Sequence, residues 1–376
     1  MNTFSELPLS AALQQQIAAA NFVTPTPVQA QAIPPALAGS DVLATAQTGT
    51  GKTLSFLIPL IERMPKNHKG AFALVLLPTR ELAMQVLEAY RHLTRSQGTA
   101  ALVCGGLNEG PQLEAIRRGA RLIVATPGRL EDYLERRLVN LSGVRMLVLD
   151  EVDRMLDMGF KPAIRRIVGA LPSDRQTLCY SATLSNEIRD VARDYLRNPV
   201  RIEIGSVLKP SPNVKLQTFE VPTDKKQELL EHLLGAHEGS FLVFVRTKHG
   251  ADRVARRLKR AGHEAIQIHG DRSQSQRNAA LRSFAQGHHR VLVATDVAAR
   301  GIDVADVAHV VNYDMPKEAE DFVHRVGRTG RASAHGMAST FAAPDEAHEL
   351  NRIERKLAIK TRKFRVRSVA AAHAHA

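Results

Sequence analysis

Short apolar runs alternate with helix-length amphipathic segments along most of this chain. That alternation limits the folds open to it more than any single motif does. Parallel strands cannot be joined by tight hairpins and need crossovers, and the helical segments supply them. The pattern predicts an α/β protein of βαβ units with mostly parallel sheets. In the first half, Asp41–Ala46, Phe72–Leu77, Ala100–Cys104, Leu122–Ala125, Met146–Leu149 and Thr177–Tyr180 read as strands, with helices such as Glu81–Thr94, Gln112–Arg118 and Gly128–Glu135 between them. The second half repeats the plan with Phe241–Val245, Ala265–Ile268, Val291–Ala294, Val307–Asn312 and Met337–Phe341, separated by helices such as Gly250–Ala261 and Ser275–Gln286. Between the halves, Asn198 to Asn213 carries Pro199, Pro210, Pro212 and Gly205 without helical period, and reads as a connector. The expected organisation is a first domain over 1–207, a linker over 208–213, a second domain over 214–350, and a basic helix with a disordered tail over 351–376. A length of 376 residues suits two domains, each with its own core.

Ala46-Gln47-Thr48-Gly49-Thr50-Gly51-Lys52-Thr53 sits between the first strand and an apolar segment from Leu54 to Ile61. A glycine turn that opens a helix points several backbone N–H groups at one spot, and the helix dipole adds partial positive charge there. A phosphate chain fits such a spot, with Lys52 reaching its end and the Thr53 hydroxyl holding Mg²⁺. Ala46 stands where the phosphate-loop pattern has its first glycine, so an ordinary glycine turn fits as well. Asp150-Glu151-Val152-Asp153 directly follows the apolar run Met146–Leu149. Carboxylates there either serve a metal and an attacking water or cap the helix that follows.

The formal charge of +13 favours a polyanionic partner, nucleic acid before acidic membrane, or a solvated basic surface. Arg352, Arg355, Lys356, Lys360, Arg362, Lys363, Arg365 and Arg367 crowd the stretch from Asn351 to Arg367 against Glu354 alone. With no Trp and 5% aromatic residues, a broad base-stacking surface is disfavoured, and any grip on nucleic acid falls on its backbone. Apolar runs such as Ala71–Leu77 are too short to span a bilayer, so no membrane is expected. The N-terminus shows no basic region followed by an apolar one, so no secretory signal is expected. Cys104 and Cys179 lie far apart in apolar segments, as buried thiols in a reducing cytoplasm would.

In their order along the chain, to about Arg331, these stretches resemble the motifs of the DEAD-box RNA helicases of superfamily 2. Pro25-Thr26-Pro27-Val28-Gln29 resembles the adenine-reading Q motif, with Phe22 beside it and Phe4 upstream. Ala46–Thr53 resembles motif I, where the family itself favours alanine at the first position. Pro78-Thr79-Arg80, Gly105-Gly106, Thr126-Pro127-Gly128-Arg129, Asp150–Asp153 and Ser181-Ala182-Thr183 resemble the motifs that follow. In the second half the resemblance continues through Phe241–Val245, His269-Gly270-Asp271 with Gln276-Arg277, Ala294-Thr295-Asp296 through Gly301-Ile302-Asp303, and His324 to Arg331.

The resemblance implies two RecA-like domains, each a mostly parallel sheet flanked by helices. It implies an RNA-dependent ATPase that unwinds short RNA duplexes or remodels RNA–protein complexes by ATP-driven closure. A slow ATP-gated RNA clamp and a DNA helicase are the alternatives. ATP would be bound by Phe22, Thr24, Gln29, Thr48, Gly49, Thr50, Gly51, Lys52, Thr53, Gly301 and Asp303, with Mg²⁺ on Thr53 and Asp150. Lys52, Asp150, Glu151 and two arginine fingers, Arg328 and Arg331, would carry the chemistry, and Asp153 with Ser181 and Thr183 the coupling. RNA would be held through its backbone by Pro78, Thr79, Arg80, Gly105, Gly106, Thr126, Pro127, Gly128, Arg129, Gly270, Gln276, Arg277 and Thr295. The expected protein is a cytoplasmic monomer, a stand-alone core of bacterial type whose basic tail takes RNA or a protein partner. Two departures stand out. Val152 replaces the family's alanine, with expected overpacking of ~1–3 kcal/mol unless neighbours adjust. Asn21 replaces a glycine, tolerable because Asn accepts positive φ.

Overall fold

The computed structural model describes residues 3–46, 49–65, 68–95, 100–204, 210–299, 307–330 and 335–365. Thr48, Gly301, Asp303, Arg331 and the tail from Val369 lie outside the described residues. The chain divides into two compact units, Met1–Val207 and Leu208–Ala376.

The first unit is built on strands β1 (Val42–Thr45), β2 (Ala73–Leu76), β3 (Ala100–Val103), β4 (Leu122–Ala125), β5 (Met146–Leu149), β6 (Gln176–Ser181) and β7 (Val200–Glu203). They form one parallel sheet in the order β3-β4-β2-β5-β6-β1-β7. Every residue of β1, β2, β4 and β5 is buried, as it must be where helices cover both faces of a sheet. Ile33, Phe56, Leu57 and Val86 pack one face from helices Pro27–Leu37, Lys52–Arg63 and Arg80–Thr94. Tyr133, Ile164, Ile167 and Ile188 pack the other from helices Pro127–Glu135, Lys161–Gly169 and Asn186–Tyr195.

The second unit carries β8 (Val214–Glu220), β9 (Phe241–Val245), β10 (Ala265–Ile268), β11 (Val291–Thr295), β12 (His309–Asn312), β13 (Gly336–Ala342) and β14 (Arg362–Arg365), parallel in the order β10-β11-β9-β12-β13-β8-β14. Helices Lys226–Ala236 and Lys248–Arg260 cover one face, and Gln274–Ala285, Ala319–Val326 and Ala347–Leu357 the other.

Three strands differ from the sequence expectation. β7 lies within the stretch that reads as connector, yet it pairs with β1 and completes the first sheet. Its burial pattern is that of an edge, with Ile202 alone turned into the core, so the sequence shows no apolar run. β8 alternates polar and apolar residues and escapes for a similar reason. The basic stretch after residue 350 is no separate tail over the described residues. Helix Ala347–Leu357 buries Leu350, Ile353 and Leu357 in the second core. β14 then pairs with β8, and Phe364 stacks on Phe219 with ring centroids 5.1 Å apart. The basic side chains ride on the outside of a segment that completes the fold.

Of the two family departures, Asn21 adopts φ 58°, the positive value the turn requires. Val152 is fully buried within the same core cluster as Leu149, Met155 and Ile164.

Candidate nucleotide and RNA site

Strand register gathers the motif residues of the first unit on one rim. Thr45 pairs with Ser181, Leu149 with Cys179 and with Leu76, and Ala125 with Leu76 and Val103. The loops that leave these carboxyl ends therefore emerge side by side, the usual ligand position in parallel α/β sheets. Sheet order also sorts them. The neighbours β1, β6 and β5 deliver the phosphate-loop candidate, Ser181–Thr183 and Asp150–Asp153. The neighbours β2, β4 and β3 deliver Pro78–Arg80, Thr126–Arg129 and Gly105-Gly106.

On the first side, Gly49 and Gly51 adopt φ 86° and 88°. Gly51 is the N-cap of helix Lys52–Arg63 and makes no side-chain cap, so the first N–H groups of that helix face the loop. A β-carbon at Gly51 would overlap the amide nitrogen of Gln29. Gln29 is buried; its Oε1 accepts from Thr26 N (2.8 Å) and its Nε2 donates to Gly51 O (3.0 Å). The adenine-reading candidate is thus tied to the backbone of the phosphate loop. Phe22 and Thr24 are exposed nearby, whereas Phe4 is core and offers no face to a ligand. Lys52 is 6% exposed and donates to Ala46 O at 3.0 Å. Thr53 is half-buried in the same first turn, and Thr50 lies in the loop ahead of it.

Asp150 is buried and accepts from Glu151 N at 3.0 Å. Burial pushes its carboxyl up to about 7, against the pull of the Lys52 ammonium and with a further push from Glu151. Glu151 itself sits at φ 52°, ψ 51°, a left-handed conformation uncommon outside glycine and concentrated at functional sites. Asp153 accepts from Ala182 N at 3.0 Å and from Thr183 Oγ1 at 3.5 Å. Ser181 Oγ, expected on Asp153, accepts from Thr183 N instead (3.3 Å). A pH effect follows. The Asp150 carboxyl holds its proton to about 7 in the fold but loses it near 3.8 when unfolded. Between those values the folded state binds more protons, so stability falls as pH rises through the window. Asp150→Asn should therefore gain on the order of 2 kcal/mol over wild type between pH 5 and pH 8 in ligand-free denaturation. A difference that is flat with pH would show the carboxylate to be ionised throughout.

On the second side, Thr79 is buried and caps helix Arg80–Thr94, its Oγ1 accepting from Leu82 N at 3.4 Å. Gly106 adopts φ 72°, and a β-carbon there would overlap the Arg80 guanidinium, so only glycine lets Arg80 lie along this loop. Thr126 and Pro127 are buried, Gly128 is exposed, and the Arg129 guanidinium lies 5.5 Å from the Tyr133 ring centroid. Gln112, unmarked by sequence reasoning, is the clamp of the Gly105-Gly106 loop. Its Oε1 accepts from Cys104 N (3.0 Å), and its Nε2 donates to Cys104 O and Asn108 O, each at 3.1 Å.

The second unit builds a similar rim. Val245 pairs with Thr295, and Ile268 with Ala294. Gly270 follows β10, and Gln276 and Arg277 lie in the first turn of helix Gln274–Ala285. The Gln276 side chain caps that helix by accepting from Ser273 N at 3.0 Å, and Arg277 donates to Ala298 O at 3.4 Å. Arg325 is a second residue that sequence reasoning left without a role. It is buried and donates to both Asp296 oxygens (2.7 Å each), Asn312 Oδ1 (3.2 Å) and Asp314 O (2.7 Å). Arg328 follows one turn later, 6% exposed, its N–H bonded to Arg325 O at 3.1 Å. Gly330 has φ 66°, and a β-carbon there would overlap Val214, so backbone conformation and packing both demand glycine.

Comparison with known proteins agrees with this geometry. Residues 26–191 match the family model for the DEAD/DEAH box helicase, and 224–333 that for the helicase conserved C-terminal domain. The chain is 46% identical over 356 residues to DEAD-box ATP-dependent RNA helicase 30 of Arabidopsis thaliana, covering 92% of this chain and 60% of that relative. It is 38% identical to the solved DEAD box protein of the hyperthermophile Methanococcus jannaschii, covering 97% of this chain and 99% of that one at a TM-score of 0.55. It superposes on S. cerevisiae Dbp5 bound to RNA and ADP BeF3 with a TM-score of 0.89 at 30% identity, covering 100% of this chain and 98% of that one. The fold is that of the RecA-like helicase core, and the chain belongs to the DEAD-box family. It spans 32% to 64% of the length of the curated relatives compared.

Proposed function

We propose that this chain is an RNA-stimulated ATPase that locally opens short RNA duplexes or remodels RNA–protein complexes. One observation carries the reading. Three adjacent strands set Gly51, Lys52, Asp150, Glu151 and the Asp153–Thr183 bond on one rim, and the strands beside them set Arg80, Gly106 and Arg129 on the same rim.

In this reading the N–H groups around Gly51 and the Lys52 ammonium hold the phosphates, and Gln29 reads adenine. The donor set of Thr53 hydroxyl and Asp150 carboxylate suits a hard cation that keeps waters and phosphate oxygens as its other ligands, as Mg²⁺ does. Among the described residues, no group of three or more His, Cys, Asp or Glu is disposed to hold a metal by itself. Bound Mg²⁺ would supply charge neutralisation on the phosphates and draw the Asp150 proton off. Glu151 orients the attacking water and takes its proton. Arg328 neutralises charge on the transferred phosphoryl group. Asp153, held by Ala182 and Thr183, links the state of the nucleotide to the adjoining RNA strands of the sheet. Lys52 and Glu151 belong to the first unit and Arg328 to the second. Val152, packed without exposure, tunes stability and leaves hydrolysis intact. The protein acts as a cytoplasmic monomer.

Steady-state ATP hydrolysis without nucleic acid, with single-stranded RNA and with single-stranded DNA tests the reading. RNA should stimulate the rate, and DNA should not. Stimulation by DNA alone would move the assignment to a DNA helicase, and stimulation by neither would leave a clamp.

A further inference from the structure

Helix Lys248–Arg260 carries a surface that the proposed function does not use. Ala251, Val254, Ala255 and Leu258 are its buried face. Arg253, Arg256, Arg257 and Arg260 are all exposed on the opposite one. Their spacing of i, i+3, i+4 and i+7 makes one stripe, and at 1.5 Å per residue it is about 10 Å long. None of the four makes an ion pair or side-chain hydrogen bond among the described residues.

The acidic groups nearby are engaged elsewhere. Asp252, on the same helix, accepts from Arg272 and Gln267 and lies 3.1 Å from His269 Nε2. Glu231, on the adjacent helix, accepts from Gln227, and Asp314 accepts from Arg246 N. By contrast, Arg118, Arg136 and Arg193, in or just past other helices, each meet an acid three or four residues back. Like charges at i,i+4 disfavour a helix by about 0.2–0.5 kcal/mol per pair, so the stripe works against its own helix. The helix dipole offsets this for Arg257 and Arg260 in the last turn but not for Arg253 and Arg256.

Position adds to charge. β9 ends in register with Thr295, so Lys248 begins at the rim that carries Gly270 and Thr295, and the stripe starts about 8 Å further along the helix and continues down the outside of the sheet. The described large hydrophobic side chains that are exposed are Phe22, Val23, Met84 and Val200, none of them in this unit. An acidic protein partner would want an apolar anchor among the cations, whereas a phosphate backbone wants only the guanidinium forks.

We propose that this arginine stripe is a second RNA surface, which takes the phosphates of duplex or structured RNA flanking the strand held at the rim. The proposal rests on the RNA-dependent reading above.

The test uses the full chain with Arg253, Arg256, Arg257 and Arg260 all changed to Gln, and a companion with all four changed to Lys. Two RNAs are compared, a single strand of about ten nucleotides and a hairpin bearing the same strand as an overhang. The Gln variant should bind the single strand within about twofold of wild type and keep its ATPase stimulation. Its hairpin affinity should fall by about tenfold or more at low salt, with a salt dependence shallower by about 2 to 4 in log–log slope, while the Lys variant keeps the slope. Unchanged hairpin binding in the Gln variant would overturn the proposal. So would an equal loss on both RNAs, which would place the stripe in the primary site. The functional reading fails separately, if wild type itself binds neither RNA and shows no RNA-stimulated hydrolysis.

Discussion

Glu151→Gln should lower single-turnover ATP hydrolysis by about 10²–10⁴ while leaving nucleotide and RNA binding near wild type. The side chains are nearly the same shape, and the backbone N–H of residue 151 still donates to Asp150 Oδ1. What is lost is the carboxylate proposed as the base. The left-handed backbone at Glu151 places this carboxylate at the head of helix Val152–Asp157, beside Asp150 and on the rim that carries Lys52. Analogue binding by fluorescence alongside single-turnover hydrolysis separates the two effects. Full activity in the variant would remove Glu151 from the chemistry.

Arg325→Ala should destabilise the second unit by about 3–5 kcal/mol, the usual consequence of removing one partner of a buried ion pair. Its guanidinium holds β11, through Asp296, to the end of β12, through Asn312 and Asp314 O, and lies 5.2 Å from the Phe244 ring centroid. The loss should lower the melting temperature by on the order of 10 °C. Arg325→Lys should recover only part of it, because an ammonium cannot reproduce the fork on both Asp296 oxygens. Unchanged denaturation with lost ATPase would make Arg325 a chemical group and not a staple.

The sequence makes the central strands legible because each is buried on both faces, and a doubly buried strand has to be an apolar run. β4, β5 and β9 occupy the very residues that the apolar pattern marks. β7, β8 and β14 escape because they lie toward the edge, where one face or both can be polar, and Arg362–Arg365 in isolation has no reason to be a strand. The site divides in the same way. Residues that act within a contiguous motif, such as Gly51-Lys52 or Asp150-Glu151, announce themselves by spacing. Gln112 and Arg325 act on loops that the fold brings to them, and no local pattern marks such a partner. Asn21 shows the converse, since the glycine that the family carries there, with the tolerance of Asn for positive φ, anticipated the left-handed turn it occupies.

The strand that leads into the phosphate loop is early in the chain, yet both its neighbours, β6 and β7, are late. About 136 residues separate Thr45 from its partner Ser181. At 5–20 residues per second, the ribosome needs roughly 7–27 s to deliver that partner. For that time Val42–Thr45 is an apolar segment with nowhere to pair, and no nucleotide can rescue it, because the loop has no rim to stand on. The birth of this protein therefore carries a fixed delay before ATP can stabilise it, and the newborn first unit depends on collapse around β2, β4 and β5, or on a chaperone, to protect its most essential strand.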